Sequence, residues 1–115
     1  MPEVYDLLQK GFVASPTVGT ILPATPRPMV AAIYAVRASN PTTGTIIAEF
    51  NTSIYGTVTG TVLTAVFTPL SNYEAKGTDE APVGILQSME ALTAKTNAGS
   101  ITGVILYSYR YGRAY

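Results

Sequence analysis

The sequence predicts a mainly β protein: a small single domain, barrel-like or sandwich-like, with at most one or two short helices and an extended N-terminal arm. Three observations lead there. Runs rich in Val, Ile, Thr and Tyr are bounded by clusters of Gly, Pro, Asn and Ser. The last segment alternates strictly between two faces. And 115 residues with 47% hydrophobic content suffice for one core but are too few for two ordinary domains.

Residues 1–28 stand apart as a Pro-rich arm, leaving 29–115 as the β-rich domain. Pro2, Pro16, Pro23, Pro26 and Pro28 break any long helix and push the residues before them towards extended forms. Within the arm, Val4, Leu7 and Leu8 can form one face of a short helix ending at Gly11, and "TVGTIL" reads as a short strand. Two roles stay open for the arm: packing on its own domain or reaching a partner.

From Met29 the pattern turns β-like. "MVAAIYAVR" and "TIIAEF", separated by the turn-forming "ASNPTTG", predict a hairpin with a longer loop. "SIYGTVTGTVLTAVF" predicts two strands or one kinked strand, with Gly56 and Gly60 as bends or bulges. Next comes the densest polar loop, "GTDEA", and then "VGIL", read as a strand over 82–86. Ile85, Met89 and Leu92 fall at helical spacing, so a short helix over 88–95 is the most that follows it. "SITGVILYSYRYGRAY" is the clearest strand: Ile105, Tyr107, Tyr109 and Tyr111 on one side, Leu106, Ser108 and Arg110 on the other. Such a tyrosine row serves either as core or subunit interface, or as a sugar-binding or base-stacking platform.

Charge narrows the partners. Seven basic and seven acidic residues cancel, and charged residues make up only 12% of the chain. No long-range field steers it to nucleic acid or to an anionic membrane, and a weakly charged surface suits contact with other protein. The N-terminus lacks the basic and apolar regions of a secretory signal, and no apolar run approaches the length of a bilayer span; both predict a soluble chain made in the cytoplasm.

Catalytic groups are scarce. The chain has neither His nor Cys, which removes most nucleophile–base arrangements, disulfides and zinc ribbons. Glu74, Asp79 and Glu80 are the remaining candidates for paired-carboxylate chemistry, and neighbours on an extended segment point opposite ways. No phosphate-binding glycine loop or calcium-loop spacing occurs. The expectation is a protein without enzymatic activity, cofactor or metal.

With these residues in place, "GTVLTAVFTPLSNYEAKGTDEAPVGIL" resembles the head decoration proteins of tailed bacteriophages, the family typified by the lambda capsid-stabilising protein D. Gly60 to Leu63, Tyr73, Gly77 to Asp79 and Val83 to Leu86 carry the resemblance, and Ile101 to Tyr109 takes the place of the final strand. It covers about half the chain, from roughly residue 60 onward. The resemblance implies a viral structural protein of the virion, made in the host cytoplasm. It would bind the outer surface of the assembled capsid as a homotrimer at local three-fold sites and stabilise the shell. Its partners would be the major capsid protein and itself, with no nucleic acid and no membrane. Val4, Tyr5, Leu8 and Phe12 would contact the capsid from the arm; Val83, Ile85, Leu86, Tyr107 and Tyr109 would form core or subunit interface. A tail or head-completion protein is the structural alternative, and a small carbohydrate- or peptide-binding β-module using Tyr107, Tyr109 and Tyr111 the alternative of another class.

Overall fold

The computed structural model describes residues 7–78 and 80–111. They form nine strands: β1 (Leu8–Ala14), β2 (Gly19–Leu22), β3 (Met29–Ser39), β4 (Ile46–Ile54), β5 (Thr57–Phe67), β6 (Asn72–Lys76), β7 (Gly84–Leu86), β8 (Ala91–Thr96) and β9 (Ile101–Tyr111). One sheet has the order β1-β9-β3-β6, with β7 also on β3, and the facing sheet has the order β2-β8-β4-β5. Every pairing is antiparallel. Strand order 1-9-3-6 opposite 2-8-4-5 is that of a jelly roll, two Greek keys wound around one core. It is an open sandwich rather than a closed barrel.

Burial alternates along the strands as a two-layer structure demands. In β4, Ile46, Ala48 and Phe50 are buried while Ile47 and Glu49 are exposed. The inter-sheet layer is filled by Phe12, Phe50, Phe67, Leu22, Ile33, Leu86, Leu92, Ile101 and Ile105. Phe12 meets Phe50 edge to face at 5.7 Å on the β1 side, and Phe67 meets Tyr73 at 5.2 Å near the β6 side.

The polar loop that precedes "VGIL" turns out to be a detour from a single strand position. β6 pairs with Ala35–Ser39 and β7 with Ala31–Ile33, both on the same edge of β3. Between them the β3–β9 register shifts at Tyr34, a bulge whose carbonyl accepts the Gly77 N–H at 2.7 Å. The chain leaves at Gly77 and returns at Val83, whose N–H donates to the Ile33 carbonyl. A Cβ at Gly77 would lie within 2.8 Å of three backbone atoms of Ala81 to Val83, so the neck of the loop tolerates only glycine.

Several local expectations are corrected. Ala91–Thr96 is strand, not helix, because β8 is bonded on one side to β2 and on the other to β4, and Leu92, Ala94 and Thr96 face the core at every second position. No helix occurs among the described residues, and the helical turn ending at Gly11 is replaced by β1, which runs through Gly11. β3 and β4 form no hairpin: the 40–45 connection crosses from one sheet to the other. From Leu8 the segment set apart as an arm lies in the sheets, β1 on β9 and β2 on β8, and its prolines 16, 23, 26 and 28 fall between strands. "SIYGTVTGTVLTAVF" does contain two strands, joined at Tyr55-Gly56, and β5 bulges at Thr59 and Val62 on either side of Gly60 and Thr61.

Phe50 is fully buried where the two layers meet, so Phe50→Ala is expected to cost about 3–5 kcal/mol in a urea titration, with little change in the spectrum of the native state.

Candidate functional site

Carboxylates are the first groups to place. Glu74 stands on β6 opposite Arg37 of β3 and forms a half-exposed ion pair with it. Glu80 is exposed on the loop, and Asp79 lies outside the described residues. Glu90 is occupied structurally: one carboxylate oxygen accepts the Gln87 N–H at 2.8 Å, the other the Thr59 hydroxyl at 2.6 Å. Among the described residues no group of three His, Cys, Asp or Glu side chains converges as a metal-binding cluster.

The residues assigned to capsid contact divide. Val4 and Tyr5 lie outside the described residues. Leu8 shares a strand face with Phe12 but lies at the exposed end of β1, whereas Phe12 is buried against Phe50. Of the residues assigned to core or interface, Leu86 is fully buried and Val83, Tyr107 and Tyr109 pack against the core. Ile85 is half-buried on the opposite face, paired with Ala32. Tyr107 and Tyr109 stack edge to face at 5.6 Å, a geometry that does not present a flat platform. Of these three tyrosines Tyr111 is the exposed one. Behind this strand, Arg110 lies over the Tyr34 ring at 5.3 Å and Ser108 donates to the Tyr34 hydroxyl at 3.2 Å. That pairing was invisible in the sequence because Tyr34 is brought to it by a bulge.

Two surface features have a built geometry without a catalytic cast. The first is an uncharged groove of about 350 Å³ on the outer face of the β2-β8-β4 sheet, bordered by Val18, Pro23, Tyr55, Val58, Met89 and Ala91. Tyr55 and Gly56 make the two-residue β4–β5 turn with φ of 50° and 81°, the type I′ pattern that ordinarily takes Asn-Gly. Met89 is held by its N–H on the Thr25 carbonyl, and buried Thr25 bonds Glu90 through both its N–H and its hydroxyl. The second is the loop between β5 and β6, which carries Leu70 at 70% exposure. Buried Asn40 organises it, donating to the carbonyls of Gly44 and Thr68 and accepting from the N–H and hydroxyl of Thr42. Leu70 N–H in turn bonds the Thr42 carbonyl at 3.0 Å.

A third feature is an edge. Among the described residues β1 pairs only with β9, over seven residues in unbroken register. Along this strand Gln9, Lys10, Gly11 and Val13 are exposed, the last at 65%. By contrast β5 is bulged twice, β2 is four residues long and irregular, and β6 carries Glu74 and Lys76.

The Tyr109 phenol is pushed above its ordinary value, first by burial and then by the neighbouring Tyr107. Folding therefore favours its protonated form. The associated stability is complete below the unfolded value near 10.0 and is lost as pH rises through the higher folded value. An ultraviolet titration is expected to show a late-ionising tyrosine component that is lost in Tyr109→Phe.

No family model matches the chain, and no curated protein does. Solved structures do. A protein of the Bacillus endospore appendages, described as a family of disulfide-linked pili, shares 22% identity at a TM-score of 0.53, with 96% of this chain and 88% of that one covered. PirA shares 12% identity at a TM-score of 0.51, with 96% and 97% covered. Both likenesses establish a common fold across nearly the whole chain.

Proposed function

We propose that the protein is a non-enzymatic structural subunit that works in many copies, joined by non-covalent contacts that include the open β1 edge. The β1 edge carries this reading. A flat, unbulged edge strand with one charge is a ready template for strand pairing, and a protein that works alone ordinarily blunts such an edge. The low and balanced charge of the chain points the same way, since a weakly charged surface is favoured where it is covered. Fold likeness to an appendage subunit supports a repeating assembly; with no cysteine in this chain, its copies would be held without disulfides.

The finer form follows from the sequence resemblance: decoration of a phage head, with homotrimers on the outer surface of the capsid against the major capsid protein. The motif from Gly60 to Leu86 supports it. In that form β1 would accept or supply a strand at the capsid contact. A subunit that binds only the assembled state stabilises it by mass action, and repetition multiplies a modest contact.

Val13→Lys places a second cation on the β1 edge without touching the core. Sedimentation velocity over a concentration series is expected to show self-association of the wild type, and about a tenfold weakening, roughly 1.4 kcal/mol, in the variant, with the melting temperature unchanged. Equal association of the two would remove the edge from the assembly. Electron microscopy of the protein alone and with expanded shells then separates the two forms: fibres from the pure chain mark an appendage, dense binding to shells a decoration protein.

A further inference from the structure

Three non-glycine residues among those described have positive φ: Tyr55 at 50°, Leu70 at 51° and Met89 at 78°. All three are large and apolar, the kind of side chain for which the left-handed region is least favourable and which Asn or Gly would relieve. Their positions are not scattered. Tyr55 and Met89 border the uncharged groove, and Leu70 tips the Asn40-braced loop. Strain retained at two separate features, each presenting an apolar side chain on a rigid base, runs from observed outlier to a binding role.

The two features lie at opposite ends of the molecule. The Tyr55-Gly56 turn precedes β5 and the Leu70 loop follows it, so the eleven residues of β5 separate them by roughly 35 Å. A chain cannot fill its own groove with its own Leu70. Electrostatics match as well: no residue lining the groove and none in Thr68 to Ser71 is charged. Two other surface grooves carry Arg37 and Glu74, or Glu49 and Lys95, and would leave those ions facing an apolar knob.

We propose that the Leu70 loop of one copy seats in the Tyr55–Met89 groove of the next, a head-to-tail contact between opposite ends of the sandwich. It rests on the structural-subunit reading and adds a second, longitudinal contact to the lateral β1 edge. Because the two surfaces differ, the contact is heterologous and propagates into a row or closes into a ring. A single knob buries less than the roughly 1,000 Å² of a stable interface, so the row holds through repetition.

Two variants test it without damaging the fold, since both relax a strained residue: Tyr55→Asn and Leu70→Gly. Each is expected to melt at or above the wild-type temperature, yet to self-associate at least tenfold more weakly in sedimentation velocity. Mixing the two restores one intact contact per pair, Leu70 of the Tyr55→Asn chain in the groove of the Leu70→Gly chain, giving heterodimers that do not extend. Wild-type association with both variants unimpaired, or variants that fail to pair on mixing, overturns the head-to-tail contact and leaves the structural-subunit reading standing. A wild-type chain that stays monomeric at every concentration overturns both self-assembly and this contact.

Discussion

Every strand must deliver its apolar side to one layer between two sheets, and nearly every irregularity in the molecule serves that constraint. Side chains alternate with a period of two, so one extra residue in a strand changes which face the rest present. β3 uses this at Tyr34. Ala31 and Ile33 face the core before the bulge, Val36 and Ala38 after it, and Tyr34 itself leaves the ladder to meet Ser108 and Arg110 on the far side. β5 does the same at Val62, whose side chain packs on the core close to Gly84. A Cβ at Gly84 would meet Val62 at 2.5 Å, so a small residue in "VGIL" is what lets β7 approach β5 and close that side.

The buried polar groups follow the same economy. Asn40, 1% exposed, sits where the chain crosses between sheets and satisfies backbone groups of two loops at once. Thr25 does this at the other end, locking the turn around Met89. Loops that would otherwise be free to adapt are thereby rigid, and rigid loops can carry exposed apolar side chains in costly conformations. The surface that results has little charge, an edge strand at β1 without bulges, and uncharged features at both ends.

Much of this was legible in the residues. The strands that begin in "MVAAIYAVR" and "TIIAEF" and the last strand follow from alternation and β-branched composition, while the break near residue 56 was one of two candidate bends, at Gly56 and Gly60. Their partners were not legible. Alternation specifies a face but not a sheet, which is why β3 and β4, adjacent in sequence, were read as a hairpin and lie in opposite layers. The helical spacing of Ile85, Met89 and Leu92 misled for a related reason: Ile85 faces outward, Met89 sits in a turn and Leu92 faces the core, so the three never share a side. Phe12 was placed on a docking arm because prolines surround its segment, yet those prolines only punctuate strands.

By itself, then, the sequence determined a mainly β chain with a single core, low in charge and without His or Cys, because these depend on composition and period. Only the tertiary structure decided the jelly-roll order, the open edge at β1, the detour between β6 and β7, and the placement of Tyr55 and Met89 beside one groove with Leu70 at the far end. These depend on which strands pair across long separations and where bulges reset the register, and both are settled by the shared inter-sheet layer rather than by any segment alone.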